Sequence, residues 1–190
     1  MQYNTIVILG KPGSGKGTQA KLLSDNVGFP VFSASGQLKA LAASHPDLGE
    51  EILNDMDHGI LVPHWIISYL WISAVVDLGH DKGIIFDGAV RKMEEATLFN
   101  EVMQYLKRPY VVVYLTIPDE ELRTRIKERA RVEDRADDDE TIITKRLEEY
   151  QNNTQGSLDF FKRQGTLLEV EGMGTVEEVH ERIIKALSNQ

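Results

Sequence analysis

Residues 10–18 read Gly10-Lys11-Pro12-Gly13-Ser14-Gly15-Lys16-Gly17-Thr18, and the predicted architecture is organised around them. An apolar run at 6–9 precedes this segment and a helix-period segment follows it, so the predicted order is strand, glycine loop, helix. Glycines let such a loop turn several N–H groups toward one concave side, where they can bind phosphate oxygens. The N-terminus of the following helix adds its positive dipole end there. We therefore predict a phosphate-binding loop.

Two side chains of this loop have separate predicted roles. Lys16 is placed to reach the β- and γ-phosphates of a nucleoside triphosphate, and the Thr18 hydroxyl to face a magnesium ion. The alternative is a glycine-rich turn that contains a lysine by coincidence. The glycine spacing, the lysine position and the strand-to-helix context together disfavour that alternative. The predicted nucleotide-binding residues are Gly13, Ser14, Gly15, Lys16, Gly17 and Thr18.

Composition limits the classes of function. The 190 residues are 42% hydrophobic and 27% charged, which is typical of one soluble globular domain. A net charge of -9 argues against a basic face for nucleic acid, so bound anions must be met by a local cluster of arginines. The absence of cysteine excludes disulfides and thiolate metal sites. The sequence has no signal-peptide pattern and no apolar run long enough to span a membrane, so we expect cytoplasmic residence.

A second informative segment runs from Gly83 to Arg91 and reads GIIFDGAVR. A buried strand is predicted to end at Asp87, beside the phosphate-binding loop, where the carboxylate would hold magnesium-bound waters. Arg91 would bind a phosphate through the two-pronged geometry of its guanidinium group. An Asp-Gly pair after a strand is usually only a turn. The arginine four residues after Asp87 matches a known family motif, and that match favours the functional interpretation.

These motifs resemble those of the adenylate kinase family of nucleoside monophosphate kinases, and the resemblance covers nearly the whole chain. Its short-lid members share the Pro-Gly and Gly-Lys-Gly-Thr elements of the loop, an Asp-Gly-x-x-Arg segment, two lid arginines and a later Lys-Arg-Leu. The resemblance implies an α/β fold with a doubly wound, parallel five-stranded sheet. It further implies one P-loop kinase domain over 1–190, with a helical acceptor-binding subdomain at 33–62 and a short lid at 130–138.

The family's reaction implies ATP and Mg²⁺ as cofactors, AMP as acceptor, and in-line transfer of the γ-phosphoryl group. Arg125 and Arg129 would bind ATP with the loop, and Thr18 and Asp87 would hold the metal through water. The expected acceptor-side residues are Ser35, Gly36, Lys39, Val62, Gly88, Arg91, Glu95, Arg135 and Arg146. The expected catalytic residues are Lys16, Asp87, Arg91, Arg129, Arg135 and Arg146.

Surface ion pairing is the alternative for the lid arginines, and Arg125 could also simply face water. We expect a monomer that binds small-molecule nucleotides and neither nucleic acid nor membranes.

Departures from the family pattern all fall on the acceptor side. Ala40 replaces an arginine, and Lys39, the only nearby cation, lacks the guanidinium fork and could equally be a solvated helix residue. Ala89 and Val90 replace an aromatic residue and a proline. Glu95 replaces a glutamine that hydrogen-bonds adenine in the family. A carboxylate can only accept hydrogen bonds, so it suits guanine, which offers two adjacent donors, better than adenine. The alternative is that Glu95 points to solvent.

Two alternatives to AMP phosphorylation follow from these departures. One is the same reaction on GMP or a pyrimidine monophosphate. The other is an ATP-binding protein of this fold that lacks phosphoryl transfer. Such a binding protein would have little need of Arg135 and Arg146, which makes it the poorer interpretation.

Hydrophobic periodicity predicts the remaining elements. Strands are expected at 29–32, 110–115 and 166–170, and helices at 139–163 and 176–187. The segment from Pro63 to Leu78 predicts an amphipathic helix, with Trp65 and Trp71 both expected in the core rather than stacked on a ligand.

Overall fold

The computed structural model describes residues 2–133 and 140–189, with side chains described except at 127–133, 140 and 141. Five strands form one parallel sheet in the order β2-β3-β1-β4-β5. The strands are β1 (Thr5–Gly10), β2 (Val31–Ser33), β3 (Ile84–Asp87), β4 (Tyr110–Thr116) and β5 (Leu167–Glu171). This arrangement confirms the predicted α/β class and the five-stranded parallel sheet.

Eight helices accompany the sheet within the described ranges. They are α1 (Lys16–Val27), α2 (Ala34–Ser44), α3 (Pro46–Asp57), α4 (His64–Leu78), α5 (Met93–Tyr105), α6 (Asp119–Glu133), α7 (Glu140–Arg163) and α8 (Val176–Ser188). None of the described helices is long and apolar enough to cross a bilayer. The predicted strands and helices are recovered with boundaries that differ by one or two residues.

The central strand β1 explains the layering of the molecule. Its residues are all buried, and their side chains alternate between the two faces of the sheet. Val7 and Leu9 join the apolar cluster formed with α2 to α5 and α7, whereas Ile6 and Ile8 join the cluster formed with α1 and α8. The chain adds β2 and β3 on one side of β1 and β4 and β5 on the other. This reversal places a ligand crevice at the carboxyl end of β1.

Helix α4 departs from the predicted amphipathic pattern. Trp71 is fully buried and its ring centroid lies 5.2 Å from that of Phe99, as expected for a core residue. Trp65 is 56% exposed, so its predicted core position is wrong. Six residues at about 100° each separate the two tryptophans by about 240° around the helix, so one core-facing stripe does not hold both.

The C-terminal end of α5 predicts a stabilising substitution. Lys107 has φ 50, a left-handed conformation, and its N–H donates to the Gln104 carbonyl at 3.1 Å while the Arg108 N–H donates to Met103 at 2.9 Å. Glycine is preferred at such a position because it has no Cβ. We expect Lys107→Gly to raise the free energy of unfolding by about 1 kcal/mol in urea denaturation. Lys107→Ala removes the same side chain but keeps Cβ; an equal gain in both variants would contradict this explanation.

Candidate active site

The predicted phosphate-binding loop lies between the end of β1 and the start of α1. Gly13 and Gly15 have φ values of 82 and 87, in the left-handed region that glycine adopts readily. Gly15 is the N-cap residue of α1 and has no side chain, so no cap side chain from this residue competes with an anion for the N–H groups of the first helical turn. The Lys16 ammonium group folds back over the loop and donates to the Lys11 carbonyl at 2.9 Å. The loop therefore presents an ammonium group and backbone donors together.

Asp87 lies beside this loop, as predicted. It ends β3, where its backbone is in register with Ile8 of the adjacent β1. A Cβ atom built on Gly17 would lie 3.3 Å from Asp87 Oδ2, so the absence of a side chain at position 17 lets the first turn of α1 approach the carboxylate. Thr18 follows in the same turn. The two predicted oxygen ligands thus line one cavity.

The segment between β3 and α5 is a tight turn that carries Arg91. Gly88 has φ 81, and a Cβ atom there would lie only 2.7 Å from Arg91 Nη2, so the guanidinium group packs directly over this glycine. Burial lowers the pKa of Arg91, while the Asp87 and Glu95 carboxylates act in the opposite direction. The guanidinium group is therefore enclosed with two negative partners.

Glu95 is 3% exposed, and burial raises its pKa. Its Oε2 atom accepts the Arg91 backbone N–H at 2.9 Å, and this hydrogen bond and the Arg91 charge lower the pKa in partial compensation. Glu95 lines the cavity and does not point to solvent.

A second arginine reaches the site from α7. The Arg146 side chain packs on Gly59, where an added Cβ would lie 3.0 Å from Arg146 Cγ. Its charge is close enough to Arg91 to add to the lowering of the Arg91 pKa that burial causes. Two guanidinium groups from distant parts of the chain therefore converge, an arrangement suited to a multiply charged anion.

These features border one cavity of about 1280 Å³. Sites for one small ligand are typically about 300–1,000 Å³, so this cavity has room for two nucleotides. The predicted residues that line it are Gly13, Gly15, Lys16, Gly17, Thr18, Ser35, Gly36, Lys39, Val62, Asp87, Gly88, Arg91, Glu95, Arg125 and Arg146. Ser14 is buried at 2% exposure and is not among the lining residues, and neither is Ala40.

The structure describes only some of the residues predicted for the lid and its arginines. Arg125 lines the cavity and its Nε atom pairs with Glu121 Oε1 at 2.7 Å. The side chain of Arg129 is outside the described part of α6, and Arg135 lies outside the described residues. The roles proposed for these two arginines and for a lid at 130–138 therefore stay predictions.

Sequence reasoning did not identify two further residues of α7 that line the cavity. Tyr150 and Thr154 follow Arg146 at intervals of four residues, so helical periodicity from Arg146 could have found them. Both line the cavity; Thr154 is fully buried and its hydroxyl has no hydrogen-bond partner among the described residues. Burial raises the pKa of Tyr150.

Lys92 was also missed, and it carries no sequence signal of its function. Its ammonium group donates to the carbonyl oxygens of Leu61 and Val62 at 3.3 and 3.1 Å. These bonds fasten the segment after α3 to the start of α5. They thereby fix one wall of the cavity.

Among the residues that the structure describes, no group of three or more His, Asp or Glu side chains could hold a metal ion. Asp87 and Thr18 offer hard oxygen atoms next to the phosphate-binding loop. Such a partial donor set fits a magnesium ion that keeps several waters and takes further oxygens from phosphates.

Comparison with known proteins gives one consistent family. A family model described as adenylate kinase matches residues 8–166. The adenylate kinase of Leptospira biflexa is 34% identical over 183 residues, which cover 96% of this chain and 98% of that protein. Those of Thermus thermophilus and Xanthomonas euvesicatoria are 36% and 37% identical over 183 residues, covering 96% of this chain and 96% and 98% of those proteins. The resemblance inferred from the motifs is confirmed.

Proposed function

The chain belongs to the adenylate kinase family, and we propose that it transfers the γ-phosphoryl group of ATP to AMP, yielding two molecules of ADP. One observation carries this proposal: Lys16, Arg91 and Arg146 line a single cavity large enough for a donor and an acceptor nucleotide. The whole chain has a net charge of -9, so the basic groups gathered there are a local feature and not a consequence of overall composition.

ATP binds at the loop end of the cavity. Backbone N–H groups of the loop and of the first turn of α1 hold the phosphate oxygens, and Lys16 neutralises charge at the β- and γ-phosphates. Arg125 also lines the cavity and is placed to contact the nucleotide when its ion pair with Glu121 breaks. Thr18 and Asp87 would hold Mg²⁺ through water, and a bound ion would neutralise charge that builds up between the β- and γ-phosphates.

AMP binds between α2, the segment after α3 and the Arg91 turn. Lys39 and the backbone around Ser35 and Gly36 line that side of the cavity. Arg91 binds the acceptor phosphate, and Arg146 approaches the phosphoryl group in transit. An oxygen of the AMP phosphate attacks the γ-phosphorus, that O–P bond forms, and the bond to the β,γ-bridging oxygen of ATP breaks. No general base is required because the attacking oxygen is already anionic.

The finer assignments are proposals of the same kind. The segment 33–62 is proposed as the acceptor-binding subdomain and 130–138 as the lid that excludes water, within one kinase domain over 1–190. We also propose a cytoplasmic monomer whose partners are small-molecule nucleotides, not nucleic acid, and the net negative charge supports the last point. Light scattering of the purified protein tests the monomeric state.

ADP production from MgATP with AMP, GMP, CMP, UMP and dTMP in parallel tests the function. We expect the highest kcat/KM with AMP, because the relatives that match nearly the whole chain are adenylate kinases. Preference for another monophosphate would refute AMP as the acceptor. ATP binding without turnover of any acceptor would refute phosphoryl transfer.

A further inference from the structure

Glu95 is bound to the turn that precedes it and not merely present in the cavity wall. It is the third residue of α5, and its carboxylate accepts the Arg91 N–H at 2.9 Å. A glutamate at this position of a helix often reaches back to the N-cap N–H. Here it reaches one residue further, to the residue that supplies the cavity's guanidinium group. One oxygen of the carboxylate, Oε2, is therefore already used within the protein.

The turn that Glu95 holds is strained. Val90 has φ 62, a conformation that is unfavourable for a β-branched residue, and its side chain is fully buried. Such conformations persist only where surrounding contacts enforce them, and they concentrate at functional sites. The strain lies directly before Arg91 in the chain. It therefore sets the direction in which the Arg91 side chain leaves the backbone.

A second contact holds the same turn from the opposite side. Ser157 of α7 donates its hydroxyl hydrogen to the Val90 carbonyl at 2.9 Å, and Ser157 is fully buried. Glu95 thus accepts a hydrogen bond from the Arg91 N–H, while Ser157 donates one to the Val90 carbonyl. The Val90 carbonyl and the Arg91 N–H belong to the same peptide group, so the two hydrogen bonds hold this peptide, directly before Arg91, from opposite sides.

The guanidinium group has little freedom once the turn is set. It lies against Gly88 and close to the Asp87 and Glu95 carboxylates. A change in the direction of the turn would move it away from both. Charge-assisted hydrogen bonding to phosphate depends on this placement, because the guanidinium fork is rigid.

We propose that Glu95 is a positioning residue, which holds the strained turn through its hydrogen bond and thereby aims the Arg91 guanidinium group at the acceptor phosphate. It does not read the acceptor base. This inference rests on the proposed phosphoryl transfer, and it differs from the base-reading role that the sequence pattern suggests for this position.

Three variants test the proposal: Glu95→Ala, Glu95→Gln and the neighbouring Glu94→Ala, in which an exposed acid of the same helical turn is removed. We expect Glu95→Ala to lower kcat/KM for the acceptor by about 10- to 100-fold, by the same factor for AMP, GMP and CMP. The KM for ATP should stay within twofold. Glu95→Gln should recover most of the loss because its amide oxygen can still accept the Arg91 N–H, and Glu94→Ala should resemble the wild type.

Several results would overturn the proposal. A change in the ratio of kcat/KM between AMP and GMP would assign Glu95 to the base. Equal loss in Glu95→Ala and Glu95→Gln, or no loss in either, would remove the hydrogen bond from the explanation. If Glu95→Ala does not fold, Ser157→Ala, which removes the opposite contact outside the cavity lining, must raise the acceptor KM for the proposal to stand.

A separate measurement distinguishes failure of this proposal from failure of the proposed function. Calorimetric titration with AMP, without ATP, reports Arg91 positioning independently of turnover. Weaker AMP binding in Glu95→Ala than in the wild type supports the positioning role even if no ADP forms. Equal affinity contradicts it even if the wild type is an active kinase.

Discussion

Replacement of Lys16 by methionine is expected to lower kcat for ADP formation by about 10²- to 10³-fold. Methionine has nearly the length of lysine but has no charge and no N–H donors. The backbone N–H groups of the loop remain, so ATP should still bind. The interaction that is lost is the one that grows as negative charge moves onto the β,γ-bridging oxygen. The loss should therefore appear in kcat more than in the KM for ATP.

Lys21→Met is the matched control for this experiment. Lys21 lies on the same helix α1, is exposed, and is not among the residues that line the cavity. The two variants make the same chemical change about 1.4 helical turns apart. Initial rates at saturating ATP and AMP should separate them by about two orders of magnitude or more. A kcat for Lys16→Met within a few-fold of that for Lys21→Met would contradict the assignment of Lys16 to phosphoryl transfer.

The donor side of the site was predictable because its signals are local. The nine residues of the phosphate-binding loop contain the glycines, the lysine and the hydroxyl in one continuous segment, and the flanking apolar run and helix place them. Asp87 and Arg91 were found for the same reason, since a strand end and the next turn lie within five residues. In a parallel sheet, strand ends meet at one edge, so these two segments could be placed together before the structure was known.

The features that escaped prediction depend on tertiary packing. Ser157 contacts Val90 from 67 positions away, and Lys92 reaches carbonyl groups about 30 positions earlier. No local pattern encodes either contact. Trp65 was misplaced because apolar residues occur on all sides of α4, which leaves periodicity unable to identify the buried side.

The second prediction with a large expected effect concerns stability, and it involves Arg108, which lies where the strands of the sheet begin. Arg108 is 3% exposed and its guanidinium group donates to the carbonyls of Gly79 at 2.7 Å, His80 at 3.3 Å and Lys82 at 2.8 Å, and to the Thr5 hydroxyl at 3.2 Å. These bonds join the loop before β3 to the starts of β1 and β4. We expect Arg108→Ala to lower the free energy of unfolding by about 3–5 kcal/mol, because the buried Thr5 hydroxyl and three partly buried carbonyl oxygens lose a charged donor at once.

Urea denaturation measures this change, with Arg163→Ala, the loss of an exposed arginine at the end of α7, as the control. Arg108→Lys should fall between the two, because one ammonium group cannot span the four acceptors that the planar guanidinium group reaches. Typical domains are stable by about 5–15 kcal/mol, so Arg108→Ala should remain folded but be markedly weakened.

The kcat of the folded fraction should be unchanged, since Arg108 lies where the strands begin, at the end of the sheet opposite the cavity. A stability loss no larger than that of Arg163→Ala would show that the loop at 79–82 does not depend on this arginine.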